Sequence, residues 1–154
     1  VEEEEEITID LNISSYIPEE YIEDSAQKIE IYQDIAGAKT EEDVQNIIDE
    51  IIDRYGEMPE EVYNLLEIAR IKNSCRKANV TKLQQKQNDV VIYFKRLSDE
   101  ALRDIILKYK TKVRFSPGEK PYVTLRIEKD VVKELKEFFE CQEGTPLFWH
   151  YRVK

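Results

Sequence analysis

The sequence contains few of the residues that usually form metal sites and nucleophilic centres. It has one histidine, His150, and two cysteines, Cys75 and Cys141, which lie far apart in the chain. Two distant cysteines lack the paired spacing of a zinc site and are too few for a disulfide framework. We therefore predict no metal site, and we expect a protein of the reducing cytoplasm, where thiols stay free.

Glycine is also rare, and long apolar runs are absent. The four glycines occur singly, which excludes the glycine-rich loops that bind nucleotide phosphates, so no cofactor is predicted for this chain. No segment of about 18 apolar residues is present, and we predict no membrane partner. The chain has no signal-peptide pattern and starts at Val1 instead of Met, so we expect it to be part of a longer protein.

Charge, in contrast, is abundant and unevenly distributed. Residues 1–70 carry 22 acidic and 4 basic side chains, a net charge of −18, and residues 71–154 carry 11 acidic and 19 basic side chains, a net charge of +8, which together give the formal −10. An acidic surface repels nucleic acids and favours a basic protein partner. The basic half has the charge to contact a phosphate backbone, but it lacks a recognisable nucleic-acid-binding motif.

Hydrophobic periodicity divides the chain into a helical half at about 7–78 and a sheet-containing half at about 79–143. The first half begins with an alternating strand pattern and continues with three helical patterns. In the first of these helices, Ile29, Tyr32 and Ile35 are expected to face the core. The second half has the order strand, strand, helix, strand, strand, helix, which predicts an antiparallel sheet covered by two helices. The predicted fold is therefore a single α+β domain.

Both ends of the chain fall outside this domain of residues 7–143. Residues 1–6 are almost entirely glutamate and are predicted to form an acidic linker, because runs of like charge repel one another. Residues 144–154 match no motif, and their role stays open. Within this tail, Trp149 is expected to act as a packing anchor.

The strongest local pattern lies between Thr40 and Ala69, and it predicts two helices joined by a tight turn. Thr40 can cap the first helix, with Asp43 in the reciprocal position of a capping box. Gly56 can end this helix, and Pro59 can open the next one. The first helix carries an apolar stripe formed by Val44, Ile47, Ile48, Ile51, Ile52 and Tyr55. Because the turn is short, the two helices are expected to pack against each other.

The end of the first of these two helices is acidic. Glu50 and Asp53 are three residues apart, so their side chains share one helix face, and Arg54 follows them. One interpretation is a solvated helix end in which Asp53 pairs with Arg54 or caps its own turn. Another is a two-carboxylate enzyme site, although no third convergent group accompanies the pair in the sequence.

This hairpin resembles a known family. Residues 50–59 read E-I-I-D-R-Y-G-x-M-P, which is similar to the D-R-F-G-x-x-P signature of the C-terminal domain of the bacterial transcription-repair coupling factor. Further blocks occur in the family's order: Tyr16-Ile17-Pro18, Tyr21-Ile22, Ile31-Tyr32, Ala36-Gly37-Ala38-Lys39-Thr40 and Leu65-Leu66-Glu67-Ile68-Ala69-Arg70. The resemblance covers residues 7–142 and is strongest over residues 16–83. Tyr55 stands where the family usually has phenylalanine.

The resemblance implies a regulatory role. The full-length protein of this family is an ATP-dependent DNA translocase that binds double-stranded DNA, removes stalled RNA polymerase and recruits nucleotide excision repair. Its ATP and Mg²⁺ bind motor domains outside this chain. Its C-terminal domain is non-catalytic and autoinhibitory, because it packs on the protein's own N-terminal UvrB-like module and masks the surface that binds UvrA. Glu50 and Asp53 match the acidic positions that face this module, and Arg54 is a further candidate for the interface.

One alternative function uses the basic half of the chain. In this hypothesis the chain is a nucleic-acid-binding accessory domain, and a basic strip makes the contacts with phosphate. The basic strip consists of Lys72, Arg76, Lys77, Lys82 and Lys86.

Overall fold

The computed structural model describes residues 6–143, with side chains described as far as residue 140. The elements in chain order are β1 (Thr8–Asp10), α1 (Ser25–Ala36), α2 (Glu41–Tyr55), α3 (Glu60–Lys77), β2 (Val80–Lys86), β3 (Asp89–Phe94), α4 (Asp99–Tyr109), a short 3₁₀ helix (Lys110–Lys112), β4 (Val113–Ser116), β5 (Tyr122–Arg126) and α5 (Val131–Glu143). The predicted α+β class and order of elements are confirmed. The acidic linker before Glu6 and the tail at 144–154, with Trp149 and His150, lie outside the described residues.

Five strands form one sheet in the order β1-β2-β3-β5-β4. The three pairs that involve β3, β4 and β5 are antiparallel, as predicted, but β1 runs parallel to β2, with Ile9 opposite Leu83. From the sequence, this first strand had been grouped with the helices of the first half. A parallel pair needs a long connection, and the three helices between β1 and β2 provide one.

The described chain forms two compact units. Residues 12–73 form a helical unit, and residues 6–11 together with residues 74–143 form a sheet unit. In the sheet unit, the paired residues Leu83, Ile92 and Val123 are fully buried on one face of the sheet. The rings of Tyr109 on α4 and Phe138 on α5 are 5.8 Å apart, so these two helices pack against each other.

The core of the helical unit combines side chains from all three of its helices and from the loop before them. Its buried members are Ile17, Ile22, Ile31, Ile35, Ala38, Val44, Ile48, Ile51, Val62, Leu66 and Ala69. The apolar stripe predicted for α2 is therefore largely confirmed, except that Ile52 is exposed. In α1 the expectation was wrong for Ile29, which is 57% exposed, and for Tyr32, which lies at the surface and accepts a hydrogen bond from the Ile17 N–H.

The predicted capping box at the start of α2 is confirmed. The Asp43 N–H donates to the Thr40 hydroxyl oxygen at 3.0 Å, and the Asp43 carboxylate accepts from the N–H groups of Thr40 at 3.3 Å and Lys39 at 3.1 Å. These bonds satisfy donors that a helix start otherwise leaves unpaired. The first residue of α2 is thereby fixed.

Replacing Thr40 by alanine should lower the free energy of unfolding by about 1 kcal/mol, because the first turn of α2 loses its side-chain cap. Thr40→Ser is the matched control, since it retains the hydroxyl oxygen and should stay close to the wild type. Urea denaturation followed by circular dichroism measures both. Equal losses in the two variants would contradict the capping role of the hydroxyl.

Candidate interaction site at the end of helix α2

Aromatic side chains fix the C-terminal end of α2. Gly56 follows the helix with a φ of 87°, a conformation that favours glycine, and its N–H donates to the Ile52 carbonyl at 2.9 Å. The Tyr21 hydroxyl donates to the Gly56 carbonyl at 2.6 Å. The ring of Tyr21 lies 6.0 Å from that of Tyr55, whose hydroxyl donates to the Gln27 side chain at 3.1 Å. The turn after α2 is therefore attached to the loop before α1 and to α1 itself.

The three candidate site residues lie on this fixed helix end, and all are exposed. The Arg54 guanidinium is 3.3 Å from the Glu50 carboxylate, and their side chains are 36% and 47% exposed. The guanidinium also lies 5.1 Å from the centre of the Tyr55 ring. Asp53 has no ion-pair partner within the described part of the chain, and it does not pair with Arg54. The structure thus brings Glu50 and Arg54 together and leaves the Asp53 carboxylate open to solvent.

An acidic cleft of about 480 Å³ lies next to Glu50, between α2 and the C-terminal end of α1. Its carboxylates come from Asp34, Asp43 and Glu50, and the remaining lining residues are Gln33, Gly37, Ala38, Asn46 and Ile47. The carbonyl end of α1 adds further negative potential. This arrangement suits a cationic side chain. The sequence analysis missed Asp34 and Asn46, although the spacing of Asp43, Asn46 and Glu50 indicates one face of α2.

An ionic network, formed by Glu41, Glu67 and Arg70, connects α3 to the start of α2 and is buried only at Glu67. The Arg70 guanidinium donates to the Glu41 carboxylate at 2.7 and 2.9 Å and to the Glu67 carboxylate at 2.7 Å. Glu67 is only 1% exposed. Hydrogen bonding to Glu41 raises the pKa of Arg70 above its ordinary value, so the guanidinium stays charged beside the buried carboxylate.

The basic strip is divided between different elements. Lys82 and Lys86 lie on one face of β2, whereas Arg76 and Lys77 belong to the last turn of α3. Lys72 also belongs to α3, in the part of that helix that falls in the helical unit. The structure therefore does not place all five residues on one element.

Among the side chains described for residues 6–140, no group of three or more histidine, cysteine or acidic residues converges in the way that a metal ion needs. Among the helices that the structure describes, none is long and apolar enough to cross a lipid bilayer. The two-carboxylate enzyme hypothesis would need a further convergent group near Glu50 and Asp53, and the acidic cleft supplies only amides and the carboxylates already named.

Comparison with known families identifies the chain. The model of the transcription-repair coupling factor (TRCF) domain matches residues 11–105. The chain belongs to the transcription-repair coupling factor family. The similarity that the signature in residues 50–59 indicated is thereby confirmed.

Individual members of the family agree with this assignment. The transcription-repair-coupling factor of Rickettsia conorii is 35% identical over 84% of this chain, and that of Staphylococcus haemolyticus is 32% identical over 91%. In both cases the chain spans about 12% of the length of the relative. The crystal structure of the C-terminal domain of transcription-repair coupling factor superposes with a TM-score of 0.80 and 24% identity, covering 91% of this chain and 93% of that one. The fold is therefore that of the C-terminal domain.

Removing the hydroxyl in Tyr21→Phe should destabilise the protein by about 1 kcal/mol at neutral pH, because the bond to the Gly56 carbonyl is lost. Burial, with a smaller contribution from Tyr55, raises the pKa of Tyr21 above its ordinary value. The protonated hydroxyl therefore stabilises the folded state below the ordinary tyrosine pKa, and this contribution is lost as the pH rises through the raised pKa.

Urea denaturation of the wild type and Tyr21→Phe at neutral and increasingly alkaline pH measures this effect. The difference between the two proteins should shrink towards zero above the raised pKa. Tyr63→Phe, which alters an exposed tyrosine of α3, is the control and should change little. If the difference in unfolding free energy between the wild type and Tyr21→Phe persisted unchanged at high pH, this account of the helix end would be contradicted.

Replacing Arg70 by methionine should lower the free energy of unfolding by about 1–3 kcal/mol, because the buried Glu67 carboxylate loses its hydrogen bond from the guanidinium. Arg54→Met is the matched control, since it removes an arginine from an exposed ion pair and should cost at most about 1 kcal/mol. Thermal and urea denaturation of both variants measure the difference. Similar losses would show that this network contributes no more than a surface pair.

Proposed function

We propose that this chain is a non-catalytic regulatory domain of a transcription-repair coupling factor, and that the end of α2 binds the N-terminal UvrB-like module of the same protein. In the bound state the domain masks the surface of that module that recruits UvrA. The observation that carries the proposal is an exposed pair of carboxylates, Glu50 and Asp53, on a helix end that Tyr21 and Tyr55 hold in place. Because the chain belongs to the transcription-repair coupling factor family, we take the domain to act within a protein of that family.

The charge of the site favours a partner surface rich in arginine. Asp53 offers an unpaired carboxylate, and Glu50 is held only by an exposed arginine at 3.3 Å. An arginine fork from the partner can bind a carboxylate with two parallel hydrogen bonds. The acidic cleft beside Glu50 can accept a second cationic side chain, since three carboxylates line it.

A polar interface of this kind is suited to reversible masking. Contacts between domains of one chain are modest and polar, so an event that favours the released state can open them. In the parent protein that event would be engagement of RNA polymerase and ATP-driven movement on double-stranded DNA, with ATP and Mg²⁺ bound by the motor domains. These partners also lead us to propose a cytoplasmic location.

Calorimetric titration of the 154-residue chain against the separately expressed UvrB-like module tests the interface. The Glu50→Ala/Asp53→Ala variant should bind at least about tenfold more weakly, because truncating one partner of a buried charge pair costs about 2 kcal/mol or more. Glu137→Ala/Glu140→Ala is the matched control, since it removes two glutamates with the same spacing from α5 and should bind like the wild type. Binding of the wild type should also weaken as salt is raised.

An interface that is too weak to detect between separate chains can still form in the full-length protein, because tethering raises the effective concentration. A second measurement therefore uses the full-length protein. In the full-length protein, the Glu50→Ala/Asp53→Ala variant should bind UvrA more tightly than the wild type. If UvrA binding stays unchanged and the titration shows no difference, the assignment of these two residues to the masking interface is wrong.

A further inference from the structure

The face of the sheet opposite the buried core carries an aromatic pair among basic side chains. Residues paired across neighbouring strands project to the same face. Lys82 is paired with Tyr93, Tyr93 is paired with Tyr122, and Asp89 is paired with Arg126. Since Leu83, Ile92 and Val123 project into the core from the alternate positions, the tyrosines lie on the outer face. We call this outer surface the tyrosine face.

Two tyrosines form the centre of this face. The rings of Tyr93 and Tyr122 are 5.3 Å apart and inclined at 43°, and both side chains are only partly buried. Val91 lies next to Tyr93 on the same face but is only 6% exposed, so the accessible apolar surface comes from the tyrosines. The Lys82 ammonium lies 5.6 Å from the centre of the Tyr93 ring. An aromatic centre with an adjacent cation is the arrangement on which nucleic-acid bases stack.

The charges around the tyrosine face are mainly positive. Lys86 and Arg126 are exposed, and the Arg114 side chain is 75% exposed. Asp89 offsets part of this charge, because its carboxylate lies 3.9 Å from the Arg114 guanidinium, and so does the exposed Asp10, which is paired with Gln84 on the same face. The cations outnumber the acids, so the face is complementary to a polyanion.

A basic cleft of about 700 Å³ continues from the end of the strands that carry the tyrosines. Its cations are Lys77, Lys95 and Arg96, and Glu119 is the acid that lines it. Pro121, another lining residue, directly precedes Tyr122, and Lys95 follows Tyr93 by two positions. The cleft therefore adds cations at the end of β3 and beside the start of β5, the two strands that carry the tyrosines.

We propose that the sheet unit binds single-stranded DNA, with bases stacked on Tyr93 and Tyr122 and backbone phosphates bound by Lys82, Arg126 and the cations of the cleft. In a duplex the faces of the bases are already stacked, so they cannot contact the tyrosines. We take DNA as the strand because this inference rests on the proposed function, in which the full-length protein acts on DNA. This site is independent of the acidic site on α2.

Fluorescence anisotropy of a labelled oligothymidine of about 12 nucleotides, titrated with the 154-residue chain, tests the proposal. A duplex and an oligouridine of the same length are measured in parallel. Oligothymidine should bind most tightly, and its affinity should fall steeply between about 50 mM and about 200 mM salt.

Two sets of variants distinguish stacking from general charge attraction. Tyr93→Leu/Tyr122→Leu should weaken oligothymidine binding at least about tenfold, since each stacked base contributes about 1–3 kcal/mol. Tyr63→Leu, which alters an exposed tyrosine of α3, is the control and should have no effect. Lys95→Gln/Arg96→Gln should also weaken binding and reduce its salt dependence, because fewer counterions are released. Circular dichroism confirms that each variant is folded.

Several outcomes would overturn the proposal. One is the absence of oligothymidine binding at about 50 mM salt, where charge attraction is strong. The tyrosine face would then be available for a protein partner instead. Another is equal binding of the duplex together with unchanged affinity in the tyrosine variant, which would indicate general electrostatic attraction. Tighter binding of oligouridine would overturn the assignment to DNA.

Discussion

The guanidinium group of Arg70 constrains how the helices of the helical unit pack. Glu67 carries a carboxylate into the interior of the unit, and Arg70 compensates for it while also binding Glu41 at the first turn of α2. A buried charge is tolerated only when it is paired and hydrogen-bonded. The network therefore restricts how α3 can pack on α2. The C-terminal, acidic end of α2 is held by the tyrosine contacts around Gly56. Both ends of the helix that carries the candidate site are therefore fixed.

The sequence predicted those parts of the fold that local physics determines. The capping box at Thr40 was correct because it involves only residues three positions apart. In α1, Ile35 can be assigned to an apolar stripe with Ile31 or to one with Ile29. Helical spacing alone therefore could not decide whether Ile29 or Ile31 was buried. Local patterns also could not identify the strand that pairs with β1, because that strand, β2, follows three helices in the chain.

In the candidate sites, as in the fold, some features depend on residues close together in sequence and others on residues far apart. That Glu50 and Asp53 share a helix face follows from their spacing, and the pairing of Arg54 with Glu50 is the ordinary i,i+4 contact. The acidic cleft, in contrast, requires Asp34 from another helix. The tyrosine face requires the register between β3 and β5, which brings Tyr93 beside Tyr122. Neither arrangement is encoded in a short motif.

The parallel pairing of β1 with β2 has a consequence for the order of folding. Thr8 pairs with Lys82, so closing this pair requires a loop that contains the entire helical unit. Contacts between positions so distant in sequence form slowly, whereas the contacts within the helical unit and within the antiparallel strands are more local. We therefore expect the four strands from β2 onwards to assemble first and β1 to join last. Residues 12–73 are in effect an insertion between two adjacent strands of the sheet.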